Sequence, residues 1–135
     1  AARAGAAGPF AFPAPLGFEK QALFRPVATD PLGAGGDAEP RMPQETGKAE
    51  ANRFGLHDCH GNVWEWCSDW YRGGYPGEAP RTDPTGPADG DKRVVRGGSF
   101  RDPPAGVRAA ARAGLRPTDR RDDVGFRVVY APVGR

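Results

Sequence analysis

The sequence predicts a loop-rich domain built on short strands and poor in long regular elements, and three observations predict it. Twenty glycines and fifteen prolines punctuate the 135 residues, a density at which low-complexity or disordered chains become a serious alternative. Three Trp, seven Phe and three Tyr answer that alternative. Most lie between Phe54 and Phe126, in segments bounded by turn residues, so the chain has the means to bury a core. The third observation is a period of two in NVWEWCSDW, where Val63, Glu65 and Cys67 alternate with Trp64, Trp66 and Ser68. That alternation, rich in aromatic and β-branched residues, predicts a strand with both Trp side chains on one face.

The remaining elements follow in chain order. AARAGAAGPFAF, residues 1–12, reads as the frayed end of a helix stopped by Gly5, Gly8 and Pro9. Pro13 to Ala51 is irregular, with turn clusters at Asp30-Pro31-Leu32-Gly33 and Gly35-Gly36-Asp37, and an irregular stretch of that length binds, covers or moves. After the Trp strand comes a Gly/Pro loop from Gly73 to Asp91, with a turn at Thr82 to Gly86. RVVRGGSF, Arg93 to Phe100, is a short strand ending at two glycines that permit close backbone approach. A phosphate-cradling role for Gly97-Gly98 is the poorer account, because Pro103 and Pro104 oppose a regular helix after them. Val107 to Arg112 fits strand or helix, and Gly125 to Tyr130 is a strand with Phe126, Val128 and Tyr130 on one face.

Charge and cysteine content limit the function classes. Nineteen basic and seventeen acidic residues leave a net charge of +2, too balanced to imply a nucleic-acid partner. The arginines gather late in the chain with aspartates among them, which favours a solvated or ion-paired surface over a phosphate-binding face. Arg108, Arg112 and Arg127 are expected to pair with Asp69, Asp122 or Asp123. No run of eighteen apolar residues suggests a membrane span and no leader pattern is visible, so the chain reads as soluble with its compartment open. Cys59 and Cys67 are the sole thiols. They make neither a disulfide framework nor a four-ligand zinc site, and buried free thiols are favoured over a bridge or a reactive pair. The single methionine, Met42, leads to the expectation of one N-terminally truncated domain over 1–135, irregular over 1–51.

Five ordered motifs then carry a resemblance. GLHDCHGNVWEWCSDWY (Gly55 to Tyr71), DPTGP (Asp83 to Pro87), RVVRGGSF, RAAAR (Arg108 to Arg112) and GFRVV (Gly125 to Val129) together resemble the formylglycine-generating-enzyme, or sulfatase-modifying-factor, domain family. The resemblance covers residues 52–130 well and is confined to the C-terminal part of the family's domain. It implies an α+β, C-type-lectin-like fold of short antiparallel strands and long loops, with a core built on the GNVWEW strand.

The resemblance also implies sites. Calcium would be held by the Asp58 side chain, the Gly61 and Val63 carbonyls and the Glu65 carboxylate. Such a set suits an ion that takes six to eight hard oxygens. A transition metal on His57 and His60 is the lesser reading, since neither cysteine lies at a zinc spacing from them. The family's copper-holding thiols would fall at Asp102 and at Val107 or Pro104, and no cysteine follows Cys67. Cu(I) needs sulfur donors, so copper is not expected. A ligand groove would be lined by Trp64, Ser99, Phe100, Arg101, Asp102 and Arg108. Relatives without the thiols include C-terminal domains of non-haem iron sulfoxide synthases and the lectin-like variable proteins of diversity-generating retroelements. In the latter, Phe100, Arg101, Asp102, Arg108, Arg116 and Asp119 would stand on the displayed face. The expected function is therefore a non-catalytic or accessory domain, stabilised by calcium, that presents a groove or face to a protein, a peptide or a small-molecule ligand. Another possible partner is the absent N-terminal half or a further domain of the same chain. The alternative is an enzyme oxidising sulfatase cysteines.

Overall fold

The structure, a computed structural model, describes residues 2–13, 22–25, 42–74 and 86–130. The turn clusters expected at 30–37 and most of the turn at 82–86 lie outside the described residues.

Among the described residues four short strands make one mixed sheet: β1 (Trp64–Trp70), β2 (Arg93–Arg96), β3 (Arg112–Leu115) and β4 (Val124–Gly125), in the order β3-β2-β1-β4. Their shortness follows from composition, because glycines, prolines and aspartates bound each apolar run. Val94 and Val95 of β2 are buried at the centre of the sheet, where branched side chains pack best. β1 and β2 pair antiparallel, Glu65 opposite Arg96 and Trp66 opposite Val95, before the register shifts between Trp66 and Trp70. β2 and β3 are also antiparallel, with Arg96 opposite Arg112.

Several elements differ from the sequence reading. β4 runs parallel to β1, so the sheet is mixed and not purely antiparallel. The last strand stops at Gly125, and Phe126, Val128, Val129 and Tyr130 are exposed without regular structure. Period two is present there, but among the described residues no neighbouring strand supplies the ladder bonds. The N-terminal stretch is a turn, closed by Ala6 N–H donating to Arg3 O at 3.0 Å. Gly5 adopts φ +83, which ends any helical continuation. The ambiguous 107–112 segment is divided: a 3-10 turn at Pro104–Val107 ends where it begins, and β3 starts where it ends. Pro104 opens that turn, a place where its missing N–H costs nothing.

Beside the buried Val94, Val95 and Phe100, a part of the core lies outside the Trp strand. Phe10, Phe12, Phe24 and Val107 form the buried apolar cluster, while Trp64, Trp66 and Trp70 are half-buried. Phe10 and Phe12 stack at 5.3 Å between ring centroids, and both meet the edge of His60. Each such burial stabilises by roughly 1.5–3 kcal/mol. His60 joins three segments: Nε2 accepts from Ala11 N–H at 3.2 Å and Nδ1 donates to Val107 O at 2.9 Å.

Two glycines make the site possible. At Gly61, φ +83, a Cβ would lie 1.7 Å from the Leu23 carbonyl oxygen, and at Gly98, φ +73, 2.7 Å from a Val107 methyl. Both stand where backbone crosses backbone, as the sequence predicts for Gly98. Gly61 N–H donates to Gly97 O and Phe100 N–H to Asn62 O, so the RGGSF segment is laced onto the GN turn.

Candidate metal pocket and groove

The His57–Glu65 loop is shaped by its left-handed residues. Asp58 (φ 55), Gly61 (φ 83) and Asn62 (φ 66) reverse the chain within five positions, and Asp and Asn are the non-glycine residues that tolerate this best. The buried Asn62 side chain pays for its strain by imitating a peptide group: Oδ1 accepts from Gln44 N–H at 2.9 Å and Nδ2 donates to Gln44 O at 3.2 Å. The Asp58 carboxylate accepts from Gly47 N–H at 2.5 Å and from Ala49 N–H at 3.3 Å.

The four residues expected around calcium meet in one pocket of about 140 Å³, with Asp58, Gly61, Val63 and Glu65 joined by Phe126 and Arg127. Arg127 was not foreseen in this role. Its Nε donates to Glu65 Oε2 at 2.9 Å and its Nη2 to Oε1 at 2.6 Å, while Nη2 also reaches the His57 carbonyl at 3.0 Å. The signal for this pairing is the parallel register of β4 on β1, Glu65 beside Gly125, which sequence alone does not reveal. The donor types suit a hard cation: two carboxylates and nearby backbone carbonyls. Among the described residues no group of three or more His, Cys, Asp or Glu side chains could hold a metal, so an ion here would draw on carbonyls and water and would share Glu65 with a guanidinium. The two histidines do not converge, since His60 is in the core and His57 is exposed, its Nδ1 2.7 Å from Ala49 O. Cys59 and Cys67 are both free and half-buried, and burial is the main cause that pushes each thiol up from its ordinary value.

Of the expected groove residues, the structure brings Ser99 and Asp102 together. Ser99 is wholly buried; its N–H and Oγ–H donate to Asp102 Oδ2 at 2.9 and 2.7 Å, and its Oγ lies 3.4 Å from Asp123 Oδ2. Asp123, 2% exposed, takes both arms of Arg121 at 2.7 Å each. The Arg121 hydrogen bonds hold its carboxyl below the usual carboxylate range. Phe100 is buried, and the exposed Arg101 lies over its ring at 4.9 Å while gripping Asp122 at 2.5 Å. Arg108 stands apart, donating to Ala105 O at 2.7 Å, and Trp64 is half-buried in β1 with its N–H on Asp123 O. Two of the arginine pairings thus differ from those expected, since Arg108 meets a carbonyl and Arg127 holds Glu65, while Arg112 lies over Tyr71. Long side chains take partners set by tertiary register, which local spacing does not encode.

A model of the sulfatase-modifying factor enzyme 1-like domain matches residues 17–132. The chain belongs to that family. The formylglycine-generating enzyme of Streptomyces coelicolor is 46% identical over 79 residues, covering 56% of this chain and 25% of that protein. The mouse protein named inactive C-alpha-formylglycine-generating enzyme 2 is 36% identical over 81 residues, covering 56% of this chain and 22% of its own length. Among solved structures, Treponema denticola variable protein 1 superposes with a TM-score of 0.75 at 28% identity, over 93% of this chain and 41% of that one. PvdO from Pseudomonas aeruginosa gives 0.72 at 32% identity, over 93% and 46%. The chain spans about a quarter of the length of the first of these curated relatives.

Within this sulfatase-modifying-factor domain, the positions that the resemblance assigns to the thiols have other work. Asp102 closes the turn after Gly97-Gly98 by accepting from Ser99, and Val107 and Pro104 are buried. Among the described residues no buried side-chain nitrogen or oxygen lacks a hydrogen-bond partner, so the polar cluster around Ser99 is internally complete.

Proposed function

We propose that this chain is a non-catalytic member of its family, of C-type-lectin-like fold, which is stabilised by calcium and presents a face to a protein, peptide or small ligand. The observation that carries this reading is Asp102. It stands where the resemblance places the first thiol, and its Oδ2 is spent on the N–H and Oγ–H of a fully buried serine. Carboxylates and aliphatic carbons do not replace thiolates around a soft copper ion. The printed name of the mouse relative, an inactive formylglycine-generating enzyme, supports the reading, as does the superposition on a variable protein. Calcium would be held by Asp58, the Gly61 and Val63 carbonyls and Glu65, where it would supply a fixed point tying the loop to β1.

The enzymatic alternative has the 46% identity to the Streptomyces coelicolor formylglycine-generating enzyme in its favour. An oxygen- and copper-dependent assay on a Cys-x-Pro-x-Arg peptide separates the two. We expect the peptide cysteine to survive unchanged, and formylglycine product would overturn the proposal. For calcium, calorimetry is expected to show saturable binding that is lost in Glu65→Gln; the absence of any heat together with a melting temperature indifferent to chelator would remove the ion from the account.

A further inference from the structure

Adjoining the candidate metal pocket through Glu65 and Arg127 is a larger one of about 240 Å³, whose wall includes Leu56, Cys59, Glu65, Arg96, Ala109 and Arg127. The two pockets share Glu65 and Arg127, yet Cys59, Arg96 and the apolar wall belong to this one alone. Its electrostatics are unbalanced by construction. Arg96 on β2 sits opposite Glu65 on β1, a pairing that ordinarily joins two opposite charges across a sheet. Here Glu65 has turned to Arg127 with both oxygens. Arg96 keeps one hydrogen bond, from Nη2 to Ala109 O at 2.7 Å, and among the described residues no carboxylate reaches it. On its other side β2 pairs with β3, placing Arg112 directly opposite, so Arg96 has a like charge as cross-strand neighbour.

A half-buried guanidinium with unspent donors, a like-charged neighbour and an open cavity before it is a receptor for an anion. The rest of the wall selects which one. Leu56, Ala109 and the neutral thiol of Cys59 offer apolar and weakly polar surface, which suits a short hydrocarbon tail better than a multiply charged phosphate. We propose that this pocket binds a small aliphatic carboxylate, whose carboxylate engages Arg96 and whose tail lies against Leu56, Ala109 and Cys59. The same chemistry is offered by a free carboxylic acid and by the C-terminus of a peptide. The proposal does not rest on the non-catalytic reading, because it does not use the Asp102 turn, and of the proposed calcium ligands its wall includes Glu65 alone.

The test uses the whole chain at constant ionic strength, with Cys59 as reporter. Labelling of Cys59 by a neutral maleimide is followed by mass spectrometry, and backbone amide shifts of residues 56–65 are read in parallel by NMR. The probes are butyrate against butyramide, and acetyl-alanyl-alanine as its free acid against its amide. We expect both acids to shield Cys59 and shift those amides, or the one acid whose source is the true one, and neither amide to do so. Charged hydrogen bonds of this kind correspond to about tenfold or more in affinity, so Arg96→Gln is expected to weaken binding by roughly that factor and Arg96→Lys to restore part of it. Ala109→Leu, which fills the wall without touching the charge, is expected to abolish binding and guards against a merely unfolded Arg96 variant. Equal effects of acid and amide, effects matched by chloride, or butyrate binding unchanged in a folded Arg96→Gln protein would each overturn the proposal.

Discussion

Arg127 and Glu65, 62 residues apart in sequence, meet as a two-armed ion pair at 2.9 and 2.6 Å. The guanidinium lines the pocket in which calcium is proposed to bind, and it lends the His57 carbonyl a hydrogen bond as well. Replacing Arg127 by Leu is expected to lower stability without added metal by about 1 kcal/mol, a modest cost because both side chains are partly in water. If calcium binds beside it, millimolar Ca²⁺ should raise the melting temperature of the variant by more than that of the parent, since Glu65 is then released. At a hundredfold excess over Kd the ion would contribute about 2.7 kcal/mol. A variant as indifferent to calcium as to magnesium would count against the site.

His60 makes stability depend on pH in a stated direction. Burial lowers its proton affinity from the ordinary value of 6.5, because protonation would place a charge against the stacked Phe10 and Phe12 rings and cost Nε2 its bond from Ala11. The unfolded chain therefore binds the proton first as pH falls, and stability declines below about pH 6.5 until the folded value is passed. Urea midpoints at pH 7.5 and 5.5 should differ, and His60→Gln should flatten that difference. An unchanged slope in the variant would assign the effect elsewhere.

Asp123 gives the opposite window. Its carboxyl is held down chiefly by Arg121, so its contribution is complete above the ordinary carboxylate value of 3.8 and is lost as pH falls through the folded value. Asp123→Asn is expected to cost about 2 kcal/mol at neutral pH, because it weakens a charge-assisted pair and disturbs Ser99. Chemical denaturation checks it, and the loss should shrink in strong acid.

Gly61→Ala is the severest single change foreseen. The added carbon has no room beside Leu23 O, and φ +83 strains any residue with a side chain. Strain of about 1–3 kcal/mol adds to that collision, so soluble yield and melting temperature should both collapse. A stable Gly61→Ala protein would mean that Leu23 does not cross the loop as described.

Local pattern revealed what local pattern encodes. The Trp64–Trp70 and Arg93–Arg96 strands and the close approach at Gly98 could be read directly from alternation and from paired glycines. Asp58, Gly61, Val63 and Glu65 line one pocket. What escaped depended on chain crossing. Phe10, Phe12 and Phe24 became the core because His60 draws the N-terminal segment against Val107, a contact with no local signature. Arg127 found Glu65 through a parallel strand pair of two residues, and Phe126 to Tyr130 alternate without a partner strand among the described residues to fix their faces.

That two-residue strand has a consequence of its own. β4 is flanked on one side by Asp123, which anchors the Ser99 turn, and followed at its other end by Arg127, which grips Glu65 at the rim of the candidate metal pocket. Peeling it from β1 would loosen both places at once. Occupancy of one should therefore slow the opening of the other, so that amides near Ser99 exchange more slowly whenever the distant rim is held shut.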